Sequence, residues 1–303
     1  MFKRKFHTLI KRCLAGVLCA GLFASQPTVT YATEATVSAA PDAVHSATYS
    51  QAADTDSIKG WPAGPSIEGQ SAVLMDAVTD TILYSKNAND KLYPASITKI
   101  MTAMLALQSG KLNDTVTITQ DNVTLEDGSQ VCGFVAGDQV TLDQLLHCLL
   151  VYSGNDAASA IAEYVGGNTE NFVQMMNDYA AKLGCTGTHF SNPHGLQDEN
   201  HYTTPYDIYL MLNEAFTYPE FTEITELPSY TVTYTGSDGT EKSTTLTATD
   251  HYLTGEATAP KDVTILGGKT GTTEVAGNCL AILTQNAYGK TFVSIVMGAA
   301  TKE

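Results

Sequence analysis

Three short clusters in the 303-residue chain combine side chains that could transfer an acyl group: Ser96-Ile-Thr-Lys99, Ser153-Gly-Asn155 and Lys269-Thr-Gly271. A serine hydroxyl is a poor nucleophile at neutral pH and needs a base within hydrogen-bond reach. Residues three apart on a helix share a face, so Lys99 comes up beneath Ser96 when Ser96 opens a helix. A lysine whose charge is suppressed by burial or by a neighbouring cation can take the serine proton. The helix start also offers free backbone N–H groups to a developing oxyanion. Ser153 reads as a hydroxyl in a break between helices, placed to relay a proton to a leaving amine. Gly154 would permit the sharp turn there, and Asn155 can both donate and accept. Lys269 and Thr270 would present a positive charge and a hydroxyl to a substrate carboxylate, and glycines at 267, 268 and 271 would let the strand approach a peptide closely. A lone Ser-x-x-Lys arises about once by chance in a chain this long, so order and placement carry the reading.

The elements that must position these residues are legible in the hydrophobic pattern. Ser71 to Tyr84 holds two apolar runs about a polar turn, an expected antiparallel hairpin. Ile97, Ile100, Met101, Met104 and Leu105 have helical spacing and Gly110 stands where a stop belongs, which puts Ser96 at a helix start. A second helix is expected from Thr141 through Leu150, a break at Ser153-Gly154-Asn155, a restart through Ala157 to Val165, and two more helices from Thr169 and from Thr204-Pro205. After Pro228 the pattern turns to alternation, with strands at Tyr230–Tyr234, in the Thr-rich return, and at Val263–Leu266, Asn278–Leu283 and Thr291–Met297. Strand, helices, strands describes an α+β domain in which the first and last strands share a sheet.

Residues 1–32 are of another kind. Lys3, Arg4, Lys5, Lys11 and Arg12 accompany an apolar run from Cys13 to Ala24, followed by Thr30-Tyr31-Ala32, the pattern of a secretory signal peptide; a retained anchor helix is the alternative. Residues 33–60 are rich in Ala, Thr, Ser and Asp without periodicity and read as a flexible spacer, with the folded part starting near Trp61. After residue 32, eleven lysines and no arginine stand against thirty-two acidic residues, a net charge of −21. Such a surface argues against nucleic acid and against an anionic membrane as partners. Cys132, Cys148, Cys185 and Cys279 are spaced neither as a disulfide scaffold nor as a zinc cluster and are expected to be buried free thiols. His189, His194, His201 and His251 form no His-Glu-x-x-His pair and read as solvated loop residues; no metal and no cofactor is implied.

The three motifs in this order resemble the serine D-alanyl-D-alanine carboxypeptidase family of low-molecular-weight penicillin-binding proteins. Ser191-Asn192-Pro193-His194-Gly195-Leu196, Tyr202-Thr203-Thr204 and Gly277-Asn278-Cys279-Leu280 are similar to other stretches of that family, and the likeness covers about residues 61–300. The resemblance implies a β-lactamase/transpeptidase-like α+β fold, an antiparallel sheet flanked by helices with a helical lobe. It implies Ser96 as acyl-enzyme nucleophile, Lys99 as proton acceptor, Ser153 as relay, Asn155 as positioning group, and Lys269, Thr270 and Thr272 as substrate contacts. The backbone N–H groups of Ser96 and Thr272 would form the oxyanion hole. The implied partner is a peptidoglycan stem peptide ending in D-Ala-D-Ala, β-lactam antibiotics being covalent inhibitors, and the implied location is exported, at the cell envelope.

Two departures stand out. Family members often hold the terminal carboxylate with an arginine, and this chain has none after Arg12. The sequence also stops at Glu303, just after a core strand, so residues 61–303 read as a catalytic domain lacking its C-terminal helix and any anchor, with membrane association not encoded after signal removal. The nearest rival, a class A β-lactamase, needs a glutamate to activate the deacylating water. The corresponding stretch, Thr188-His-Phe-Ser-Asn-Pro-His-Gly195, has no carboxylate before Asp198, so slow penicilloyl turnover is expected. A non-catalytic binding module of the same fold is the remaining alternative.

Overall fold

The computed structural model describes Thr55 and residues 58–302. The expected signal segment, residues 1–32, lies outside the described residues, as does most of the spacer. Thr55, inside that spacer, is buried: its N–H donates to Ser85 Oγ at 2.9 Å and its hydroxyl to the Ser85 carbonyl at 3.2 Å, so chain before Trp61 is tied to the sheet.

The expected hairpin forms β1 (Ser71–Asp76) and β2 (Thr81–Lys86). The last three strands are β7 (Val263–Thr273), β8 (Gly277–Asn286) and β9 (Thr291–Ala299), and the antiparallel sheet has the order β2-β1-β9-β8-β7. β1 pairs with β9, Val73 opposite Ile295, so the first and last strands do share a sheet. The interior of the chain is helical: α1 (Lys99–Gln108), α2 (Gln120–Val123), α3 (Leu142–His147), α4 (Asn155–Gly166), α5 (Thr169–Lys182), α6 (Pro205–Ala215), α7 (Pro219–Thr225) and α8 (His251–Thr254). A second sheet, order β3-β4-β5-β6, joins β3 (Thr115–Thr117) and β4 (Gln139–Thr141) to the hairpin β5 (Ser229–Thr235) and β6 (Glu241–Thr247). The short β3 and β4, and the separation of the Thr-rich hairpin from the main sheet, escape sequence reading because three residues are too few to show a period.

Caps set the helix starts where the sequence put them. Thr141 and Gln144 form a reciprocal capping box at α3, and Thr204 accepts from Asp207 N–H with Pro205 in the first turn of α6. The helix expected to run on to Leu150 instead widens into a π-helical turn, Cys148–Tyr152, that ends at Ser153. α1 is buried on every side from Lys99 to Ala106, as a helix apolar all round must be. It is enclosed by α3, α4, α5 and α6, and α6 packs in turn on β1, β8 and β9. Each fully buried Leu or Ile in this core contributes roughly 1.5–3 kcal/mol of transfer free energy. The consequence for the site is rigidity: the start of α1 sits between the central helices and strand β7.

Candidate active site

Pro94 leads into a 3₁₀ turn, Ala95–Thr98, which runs directly into α1. Ser96 lies on this turn and Lys99 on the first turn of the α-helix, so the three-residue spacing brings both side chains to one point. Lys99 is wholly buried, and its Nζ stands 2.8 Å from Ser96 Oγ, 2.7 Å from Asn155 Oδ1 and 2.7 Å from the His194 carbonyl oxygen. As an ammonium it donates to all three oxygens. With one proton removed, its two N–H groups still satisfy Asn155 and His194, which can only accept, and its lone pair faces the Ser96 hydroxyl. Burial, then the nearby charge of Lys269, holds Lys99 well below the ordinary lysine range, with Cys132 and Asp156 acting against them.

Ser153 and Asn155 arrive from the break between the π-helical turn and α4. Ser153 itself takes the left-handed conformation, φ +67°, while Gly154 has φ −61°. The glycine is therefore needed for space and not, as the sequence suggested, for the turn: a Cβ at 154 would lie 2.3 Å from Cys132 Sγ. Ser153 Oγ is buried and has no hydrogen-bond partner among the described residues, an unusual state for a core hydroxyl. The break is laced to the loop before it, since Asn155 N–H donates to the Gln130 carbonyl at 2.8 Å. The Asp156 carboxylate in turn accepts from the N–H groups of Cys132 at 2.9 Å and Gly133 at 3.1 Å.

Strand β7 closes the other side. A Cβ at Gly271 would stand 2.9 Å from Ser96 N, so the glycine lets the strand lie against the Ser96 amide, with the Thr272 backbone next along. Gly267 and Gly268 serve a different purpose from the peptide approach expected of them. They form a bulge against β8, and side chains there would strike Thr225 and the Ala281 carbonyl. Thr270 and Thr272 line a groove of about 710 Å³ together with Ser96, Ser153 and Asn155. Thr270 Oγ1 is 2.6 Å from Thr249 Oγ1, and Thr272 Oγ1 donates to Asn278 Oδ1 at 3.0 Å. Lys269 is 2% exposed, its ammonium donating to the carbonyl of the next residue, Thr270, at 2.9 Å; its charge acts on Lys99, and burial brings it down to about 7, opposed by the charge of Asp250.

The structure thus gathers Ser96, Ser153, Asn155, Thr270 and Thr272 about one groove, with Lys99 buried and bonded to Ser96 and Asn155, and Lys269 buried next to Thr270 in the chain. The His194 carbonyl, Thr249 and Asp156 were missed as contributors. His194 belongs to the Ser-Asn-Pro-His-Gly-Leu stretch, but a backbone acceptor has no side-chain signature; Thr249 carries no sequence signal at all. The histidines also need correction. His201 is buried and His194 partly so, because their loop is pressed onto α1, where Thr102 Oγ1 donates to the Pro193 carbonyl at 2.6 Å. The four cysteines are free and buried, as expected.

An antiparallel sheet with a buried helix behind it, and a serine–lysine pair at that helix's start facing an edge strand, defines the class of DD-transpeptidase-like proteins. The solved Streptomyces K15 DD-transpeptidase has a similar structure, with a TM-score of 0.73 and 28% identity over 79% of this chain and 93% of that one. The chain belongs to the D-alanyl-D-alanine carboxypeptidase family, whose model matches residues 59–301. It is 35% identical to Bacillus subtilis D-alanyl-D-alanine carboxypeptidase DacF over 77% of this chain, and 36% identical to Escherichia coli D-alanyl-D-alanine carboxypeptidase DacC over 78%. It spans 58% of the length of each of these two relatives.

Proposed function

We propose that the chain is a serine-type D-Ala-D-Ala carboxypeptidase that removes the terminal D-alanine from peptidoglycan stem pentapeptides through an acyl-enzyme on Ser96, and that penicillins acylate the same hydroxyl. The observation that carries this reading is the Lys99 amine, held 2.8 Å from Ser96 Oγ with two further acceptors for its N–H groups. Neutral Lys99 takes the Ser96 proton as Oγ attacks the carbonyl between the two D-alanines. The backbone N–H groups of Ser96 and Thr272 hold the resulting oxyanion. The proton then passes by way of the Ser153 hydroxyl to the leaving amine; D-alanine departs and water hydrolyses the ester. Thr270 and Thr272 meet the substrate's terminal carboxylate from the groove wall, and Lys269, next to Thr270, supplies positive charge in a chain without an arginine after Arg12. Export to the cell envelope, with residues 1–32 removed, belongs to the same reading.

Mass spectrometry of a defined pentapeptide incubated with the protein tests it. D-alanine should be released, release should be abolished in Ser96→Ala, and Lys99→Ala should lower the rate by about 10²- to 10⁴-fold. The β-lactamase alternative is disfavoured because the segment that would carry a deacylating glutamate contributes the His194 carbonyl to Lys99 instead. Rapid, sustained penicillin hydrolysis would overturn that preference, and a folded protein that penicillin does not label would favour a binding module.

A further inference from the structure

His201 belongs to none of the three motifs, yet it is 2% exposed and bonded at both ring nitrogens. Nδ1 lies 3.0 Å from the Ser191 amide nitrogen. A backbone N–H can only donate, so Nδ1 is the acceptor and the neutral ring carries its hydrogen on Nε2. Nε2 is 2.7 Å from Thr98 Oγ1 and therefore donates to it, and the Thr98 hydroxyl donates in turn to the Ala95 carbonyl at 2.8 Å. The direction of every bond in the chain follows from its first member. Thr98 stands at the cap position of α1, but its side chain makes no cap and is used backwards, toward the residue before the nucleophile.

The Ala95 carbonyl is a special acceptor. Ala95 has φ +48°, in the left-handed region that an alanine seldom occupies, and its oxygen is pressed so closely on Gly195 that a Cβ there would lie 1.9 Å away. The peptide that follows is planar and trans, so the Ala95 C=O and the Ser96 N–H point in opposite directions. Fixing one fixes the other, and Ser96 N is the amide that faces Gly271 of β7.

We infer that His201 is a positioning residue: through Thr98 and the Ala95 carbonyl it sets the plane of the Ala95–Ser96 peptide and so aims the Ser96 N–H at the oxyanion. The inference rests on the acyl-transfer function proposed above. His201 also makes an edge contact with Phe190, ring centroids 5.6 Å apart, so packing and aiming must be separated by experiment.

Acylation by a fluorescent penicillin, resolved into a dissociation constant and a first-order acylation rate, separates them. Losing a whole oxyanion donor costs about 10²- to 10³-fold, so misaiming one by Thr98→Val or His201→Leu should slow the first-order step by roughly 10- to 100-fold with the dissociation constant little changed. Thr98→Ser keeps the hydroxyl, and His201→Gln keeps an acceptor for Ser191 and a donor for Thr98, so both should recover most of the rate. The double variant Thr98→Val/His201→Leu should be no slower than the slower single one. Thr98→Val removes one buried hydroxyl and decides the matter if His201→Leu fails to fold. A Thr98→Val protein that acylates at the wild-type rate, or a loss confined to the dissociation constant, overturns the inference while leaving the function in place. A wild type that is itself not acylated overturns the function and this inference with it.

Discussion

Lys99 and Lys269 are both buried, but the proposed chemistry asks opposite things of them. Lys99 must be neutral to take a proton, and burial together with the charge of Lys269 favours that form. Lys269 must be charged to draw in a carboxylate, and burial opposes it, leaving it near 7 with Asp250 as the group that favours its charge. The second-order rate constant for peptide cleavage should therefore fall as pH rises through about 7, because free enzyme with neutral Lys269 captures the carboxylate poorly. Asp250→Asn withdraws the favouring charge and should move this alkaline limb to lower pH. Profiles of kcat/KM from pH 5 to 9 for the two proteins check both statements; a limb that does not move would show that Asp250 is not the counter-charge of Lys269. The sequence named both lysines and their motifs. It could not say that both are buried, since that depends on how the helices and β7 pack around them.

At the scale of elements, the site is a meeting of four pieces: the 3₁₀ turn, the break before α4, the loop carrying His194, and β7. Their close approach is what the glycines permit. Gly154→Ala would set a methyl 2.3 Å from Cys132 Sγ and 2.9 Å from Asp156 Oδ1, forcing the break away from its loop. The expected cost is about 1–3 kcal/mol of stability, read by urea melts, with part of it recovered when Cys132→Ala makes room. Asp156→Asn should loosen the same junction, because an amide cannot accept from Cys132 and Gly133 through both of its terminal atoms. Its effect should appear as a slower acylation step. The helix starts were readable from Thr141, Thr204 and Pro205 because capping is local chemistry. The break at Ser153-Gly154-Asn155 was readable too, but the π-helical turn Cys148–Tyr152 leading to it was not, because nothing local distinguishes that turn from a continuing α-helix.

Over the whole molecule, neutral buried histidines should make the fold acid-sensitive. Burial, with the Lys99 charge also contributing, holds His194 down to about 3 and His201 down to about 4, and Asp198 only partly opposes this at His201. The folded values lie below those of the unfolded chain. As pH falls from about 6.5 toward 4 the unfolded state therefore binds protons that the folded state refuses, and stability is lost over that window, by a few kcal/mol at buried His201 and by less at partly buried His194. Burial pushes the carboxyls of Asp207 and Asp250 up, which acts in the opposite sense and offsets part of the loss. Melting temperatures between pH 7 and 4 should fall, and His201→Gln should flatten the decline. All four described cysteines are free, so added reductant should leave the melting temperature unchanged; a drop would reveal a disulfide. By itself the sequence marked Ser96 and Lys99 as the candidate pair, placed the strands of the main sheet and the longer helices, and pointed to the family, because spacing, caps and short motifs are local properties of the chain. Only the tertiary structure decided what surrounds Ser96. The His194 carbonyl on Lys99 and the bond from His201 through Thr98 to Ala95 join residues up to 103 positions apart, and such contacts exist only once the core has packed.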